Sequence, residues 1–207
     1  MDEQYWSAVA TMRLRIAGLL ESLSPDEWEV SSLCRGWRIR DVAGHLALVP
    51  TVTTWQLLAA APRVRFDLNR VNTLLAVRAG DAPPEQILRR LRAHAEDRRT
   101  AWVLNPRDSL FDVIVHSQDI AVPLGREFPV PAQDVRRGLE RVWQMGWPFR
   151  AQRRLANLRL VATDTDWVVG DGPEVTGPAL SLLLLLTGRT ETATRSLNGA
   201  GVAALPR

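Results

Sequence analysis

Apolar side chains recur every three or four residues through the first half of the chain, the spacing of helices that bury one face. Residues 5–23 place Trp6, Val9, Met12, Ile16, Leu19 and Leu20 on one side with charges opposite, predicting a first helix. Ser24-Pro25-Asp26-Glu27 follows, with a hydroxyl to cap, proline at the first helical position and an acid at the third, the pattern of a capping box opening a short turn. Ile39, Val42, Leu46, Val49, Val52 and Trp55 continue a second stripe to about residue 60, and Pro50 inside it predicts a kink or break. A weaker segment suggests a short helix over 68–77, whereas Ile87, Leu88, Leu91, Ala95 and Trp102 predict an amphipathic helix over 85–103. Asn105-Pro106 punctuates the chain, and Asp108 or Ser109 can cap a further helix running through Leu110, Ile114 and Val115 to about residue 122.

Pro123, Gly125, Pro129 and Pro131 then break the pattern. A helix is expected over 133–147, but the runs at 158–163 and 167–169 are β-type and flank Asp164-Thr165-Asp166, which suggests a hairpin. Gly170-Asp171-Gly172-Pro173 turns the chain again, and Gly177-Pro178 opens a helix through a run of leucines. The expected architecture is mainly α: a helical bundle over residues 1–125, then a small α+β domain over 126–207.

Composition narrows the possible functions. The chain has 207 residues, enough to bury a real core, and its 24% charged residues are ordinary for a globular protein. All 26 basic residues are arginine, a bias of the kind a GC-rich genome produces. They are scattered among acids rather than gathered in a stripe, so no nucleic-acid partner is expected. The longest apolar run, at 180–186, is far short of the roughly 20 residues a membrane span needs, so no membrane partner is expected either. A single cysteine, Cys34, excludes an internal disulfide framework. With an acidic opening, Met1-Asp2-Glu3-Gln4, where a signal peptide would be basic, it leads to the expectation of a soluble cytoplasmic protein.

Two of the three histidines close similar phrases, Asp41-Val42-Ala43-Gly44-His45 and Asp112-Val113-Ile114-Val115-His116. An acid and an imidazole four residues apart share a helix face, one turn above the other, which is how a helix offers two ligands to one metal. Asp112 and His116 with His45 from another helix would make a three-ligand set that leaves a position open. The same spacing also describes hydrogen-bonded core histidines, and Asp41 reads as a helix-starting residue. Asp119 lies on the face of His116 and could support it from behind or substitute as a ligand. His94, among arginines and acids, reads as solvated. Cys34 precedes the first of these phrases and could serve as a nucleophile, but with no histidine near it in sequence it reads as a small structural residue. Most of the eight tryptophans fall on apolar stripes and are expected in the core, although Trp143 and Trp147, one turn apart, could line a pocket.

The phrase from Gly36-Trp37 through Asp41-Val42 to His45-Leu46 resembles a segment of the mycothiol-dependent maleylpyruvate isomerase family, whose members share a DinB-like four-helix bundle. Asp112 through His116 to Asp119 resembles a second segment of that family. The stretch from Leu160 through Trp167, Gly170-Asp171-Gly172 and Gly177-Pro178 to Leu186-Thr187-Gly188-Arg189 is similar to its C-terminal domain. The resemblance implies a divalent metal, usually zinc, held by His45, Asp112 and His116, and activation by that metal of the thiol of mycothiol. It further implies that Arg189 assists substrate or thiol binding. The family's glutamate is here Asp112, shorter by one methylene or about 1.5 Å of reach.

Two readings of function follow. In the first, a metal-activated low-molecular-weight thiol attacks an electrophilic small molecule, as an S-transferase or an isomerase, with transferase chemistry preferred because isomerisation is one specialised use within a large family. In the second, the shorter carboxylate marks a catalytically degenerate member that binds a small molecule or a protein.

Overall fold

The first apolar stripe folds as α1, Glu3–Glu21, whose Asp2 accepts a hydrogen bond from the Tyr5 backbone N–H (2.9 Å) and so caps it. In the computed structural model, which describes residues 2–98, 101 and 105–206, it is followed by the expected capping box. Glu27 accepts from the Ser24 N–H at 2.8 Å and starts the one-turn helix α2, Pro25–Glu29. The second stripe divides at Pro50 into α3, Ile39–Leu48, and α4, Thr54–Ala60, the latter opened by its own capping box of Thr53 and Gln56. Helices α5, Leu68–Gly80, α6, Pro84–Ala93, and α7, Ser109–Ala121, complete the set.

α6 is shorter than its periodicity suggests. The buried Arg13 of α1 gives its Nη1 to the carbonyls of His94 (3.3 Å), Ala95 (3.0 Å) and Asp97 (2.8 Å). Those carbonyls would otherwise accept from the next helical turn, so the chain leaves the helix at His94. Trp102 and Val103 of the expected longer helix lie outside the described residues. His94 is not fully solvated either: its Nδ1 pairs with Asp97 at 2.8 Å.

Bundle packing runs α1 against α6 and α7, and α3 against α5, α6 and α7. The α3 and α5 backbones meet closely at two glycines. A Cβ on Gly44 would lie 2.3 Å from the Gly80 backbone nitrogen, and one on Gly80 would meet the Asp41 backbone and side chain. Val9, Ile16, Leu20, Ile39, Val42, Leu110, Ile114 and Ile120 form the fully apolar interior.

The chain divides into two compact units, Met1–Phe128 and Pro129–Arg207. Phe128 is tied to the first by the Gln118 side chain, which donates to its carbonyl at 2.9 Å, and by the Arg15 guanidinium 4.5 Å above its ring.

Within the second unit, α8, Ala132–Gln144, and α9, Ala151–Arg154, precede three strands. The hairpin forms as expected between β1, Arg159–Ala162, and β2, Val168–Val169, with Leu160 opposite Val169. A third strand, β3, Glu174–Gly177, lies parallel to β1 on its other edge, giving the order β2-β1-β3. The link from β2 to β3 crosses the start of β1 so tightly that a Cβ on Gly170 would sit 2.2 Å from the Leu158 carbonyl, which is why glycines carry the positive φ there. The leucine run forms α10, Ala179–Leu186, with Leu182 through Leu186 buried, and α11, Thr190–Thr194, follows. Trp143 meets Trp167 edge to face at 6.3 Å, but Trp147 lies past the end of α8 and is 52% exposed, so the two do not line one face. Trp55, 79% exposed, also departs from the expected core placement.

Candidate metal centre

His45 reaches the bundle interior because α3 is fixed at its start and pressed against α5 along its length. The Asp41 carboxylate, 3% exposed, accepts from the Arg38 backbone N–H (2.8 Å), its Nε (3.0 Å) and its Nη2 (2.9 Å), which satisfies the first turn of the helix. Asp41 is therefore structural, and His45, one turn on, points to α7. From α7, Asp112 and His116 project one above the other, as the four-residue spacing requires.

The three side chains converge. His45 Nε2 lies 3.6 Å and His116 Nε2 3.5 Å from the same Asp112 oxygen, Oδ1, and the two imidazole rings are 4.8 Å apart. His45 Nε2 is buried and makes no hydrogen bond among the described residues, an unusual state for a ring nitrogen in a protein interior. Zinc bonds of roughly 2.0–2.2 Å in tetrahedral array hold donor atoms about 3.3–3.5 Å apart, so these two separations suit a shared divalent ion better than direct hydrogen bonds. The shorter carboxylate therefore does reach both imidazoles. The Asp112 side chain is 24% exposed where those of His45 and His116 are 8% and 11%, so the cluster opens on the Asp112 side.

His116 is held from behind. Its Nδ1 lies 2.8 Å from Asp119 Oδ2, and an ionised carboxylate can only accept, so Nδ1 carries the proton and Nε2 is turned to Asp112. Burial disfavours the His116 imidazolium, but the charge of Asp112 and hydrogen bonds to Asp112 and Asp119 outweigh it and raise its pKa well above 6.5. Asp112 is shifted the opposite way: burial favours its neutral form, yet the two imidazoles hold it far below the usual carboxylate range.

Two residues join the site that the sequence did not single out for it. A short loop returns on itself before α3, with the Cys34 N–H donating to Ser32 Oγ (3.1 Å), the Trp37 N–H to the Cys34 carbonyl (2.9 Å) and Gly36 at φ +79°. The Leu33 N–H donates to the Asp119 carbonyl at 3.3 Å and docks this loop on α7. Cys34 Sγ is thereby placed 3.1 Å from Asp119 Oδ2 and 3.8 Å from His116 Nδ1, so the cysteine is part of the histidine's surroundings rather than an unrelated structural residue. Cys34, His116 and Asp119 form a second group with metal-ligand atoms close together. The 2.8 Å contact between His116 and Asp119 is a hydrogen bond, shorter than two ligands of one ion would stand. Trp37 stacks on His116 with ring centroids 6.2 Å apart and planes 12° from parallel, and its Nε1 donates to Thr73 Oγ1 at 3.4 Å. Its place in the Gly36-Trp37 phrase was a usable signal; Cys34, 82 residues from His116, offered none.

The mycothiol maleylpyruvate isomerase N-terminal domain model matches residues 9–121, more than half the chain. This chain belongs to that family. Its fold is similar to the crystal structure of the mycothiol-dependent maleylpyruvate isomerase, with a TM-score of 0.67 over 96% of this chain and 92% of that one at 13% identity. A histidine-to-alanine mutant of a mycothiol-dependent maleylpyruvate isomerase gives a TM-score of 0.63 with the same coverage and identity. At that identity the likeness speaks for the fold. No curated protein sequence matches the chain.

Arg189 belongs to the second unit, where it precedes α11 and its Nη1 donates to the Thr187 carbonyl at 2.8 Å. No helix among the described residues is long and apolar enough to cross a membrane.

Proposed function

We propose that His45, Asp112 and His116 hold a divalent metal ion, zinc by the chemistry of a two-imidazole, one-carboxylate set, and that the protein is a cytoplasmic enzyme using mycothiol or a similar low-molecular-weight thiol against an electrophilic small molecule. The observation that carries this reading is the buried His45 Nε2, without a hydrogen bond and facing the same Asp112 oxygen as His116 Nε2. When bound, such an ion lowers the pKa of a thiol and keeps it as the nucleophilic thiolate.

The chain's own residues supply the rest. Asp119 fixes the His116 tautomer, so that Nε2 presents its lone pair to the metal position. Trp37 packs beside the His116 and His45 rings, with centroids 6.2 and 5.5 Å away, and adds apolar surface to that side of the cluster. Asp112 supplies the negative charge and borders the more open side, where thiol and electrophile would enter. The assignment of Arg189 to an anionic group of substrate or thiol rests on the resemblance of its own segment. S-transferase and isomerase outcomes share the same first step, attack by thiolate on an electrophilic carbon, and differ in whether the thiol stays on the product. The family membership and the fold support thiol-dependent chemistry of this class.

The test uses zinc-supplemented protein, mycothiol and a panel of activated alkenes and alkyl halides, following thiol adducts by thiol consumption and product mass and following isomerisation by chromatographic separation of substrate and product isomers. Turnover that disappears in His116→Ala supports the proposal. Absence of any turnover, in protein shown to carry its metal, favours the ligand-binding reading.

A further inference from the structure

A cleft of about 370 Å³ lies in the first unit between the end of α3 and helices α4, α5 and α6, and it shares no residue with the histidine cluster. Its apolar lining includes Leu48 and Leu75; its polar lining is Gln56, Arg63, Arg78 and Arg90, with no acid among the lining residues. The three arginines come from separate elements, the turn after α4, α5 and α6, so the fold and not one sequence run gathers them.

No carboxylate among the described residues neutralises them. Arg63 gives Nη1 to the Ala59 carbonyl and Arg90 gives Nη2 to Thr51 Oγ1 at 3.2 Å, contacts that orient a guanidinium without cancelling its charge. None of the three pairs with a carboxylate among the described residues. By comparison, Arg38, Arg40, Arg70 and Arg92 each meet an aspartate or glutamate. From Val42 through Phe66 the sequence holds no acid at all. Three like charges facing one concavity repel each other, and an anion placed between them relieves that repulsion while accepting paired N–H groups from each planar fork.

We infer that this cleft binds a small organic anion, a carboxylate or phosphate ester with an apolar body, its charged group held by Arg63, Arg78 and Arg90 and its body against Leu48 and Leu75. Volume and lining both enter the inference. A site of this size with apolar walls is larger and less polar than inorganic phosphate requires, and the arginines select against a neutral ligand of the same shape. The Gln56 side-chain oxygen is engaged by Thr53, which leaves its amide N–H groups to donate to the ligand's remaining oxygen.

Calorimetric titration of the full chain with benzoate, phenyl phosphate, benzyl alcohol and inorganic phosphate tests it, the two organic anions distinguishing carboxylate from phosphate ester. At least one of them is expected to bind saturably, and about tenfold or more tighter than both benzyl alcohol and inorganic phosphate. The Arg63→Gln/Arg78→Gln double variant, altered only at exposed side chains, is expected to melt like the parent and to lose about tenfold or more in that affinity. No saturable binding of either organic anion up to about 10 mM, equal binding of the neutral alcohol, or undiminished binding by a folded double variant would each overturn the inference.

Discussion

His116 and Asp119, three residues apart on α7, are joined through Nδ1 and Oδ2 at 2.8 Å, and this pairing decides which nitrogen of the histidine faces the Asp112 carboxylate. The ring's other nitrogen is thereby free to act as a ligand whenever the imidazole is neutral. Everything proposed for the cluster depends on that orientation.

Asp119→Asn tests it. The amide presents an N–H as readily as an oxygen, so the fixed tautomer is lost while the shape is kept. Zinc affinity, measured by competition with a chromophoric chelator, should fall about 10–100-fold, the usual cost of removing a partner that orients a metal-bound histidine. Unchanged affinity would mean that Asp119 serves packing alone.

Cys34 donates to the same Asp119 oxygen at 3.1 Å. Cys34→Ser keeps a donor and should leave zinc affinity within a factor of about three, whereas Cys34→Ala leaves the fully buried carboxylate short of a partner, at a cost of about 1–3 kcal/mol in urea denaturation. Equal behaviour of the two variants would remove the cysteine from the account.

Gly44→Ala probes how α3 is placed. The added methyl would lie 2.3 Å from the Gly80 backbone nitrogen, a contact that no side-chain rotation relieves. The two helices must separate, with a stability loss of about 1–3 kcal/mol or more and a displaced His45 that weakens metal binding as well. Both losses should appear together, in denaturation and in zinc titration.

Proton competition sets the pH dependence. His116 is raised well above 6.5 in the metal-free fold, so its contribution to stability is fully present below that ordinary value and is lost as pH rises through the folded value. Asp112 is lowered, so its contribution is present above about 3.8 and is lost only as pH falls far below that. The metal-free protein should therefore be most stable between about pH 4 and 6.5 and soften above. Zinc needs the neutral imidazole, so zinc affinity should rise with pH over the range in which metal-free stability falls. Melting curves with chelator and with zinc, across that range, should diverge as pH rises.

Much of this was legible in the sequence, for physical reasons. The α1 stripe, the break at Pro50, the Ser24 capping box and the Asp112–His116 spacing are all local, set by a 3.6-residue period or by one residue's backbone chemistry. The misreadings are long-range. The end of α6 is decided by Arg13, more than 80 residues away, and the approach of Cys34 to α7 by a backbone hydrogen bond from Leu33 to Asp119. β3 is four residues long and pairs in parallel across a crossing link, so no alternation was extensive enough to announce it. Trp55 sits at helical spacing yet faces outward, because periodicity marks a face without saying what covers it, and Trp147 is exposed because α8 ends at Gln144 before reaching it.

The central claim is that His45, Asp112 and His116 together hold one divalent ion. Zinc titration of the metal-stripped protein, followed by elemental analysis after gel filtration, measures this directly beside His45→Ala and Asp112→Ala. The account predicts one zinc per chain in the parent, lost or weakened about 100-fold or more in each variant while the fold is retained. A parent protein that retains no stoichiometric metal, or variants that retain it with parental affinity, would contradict it.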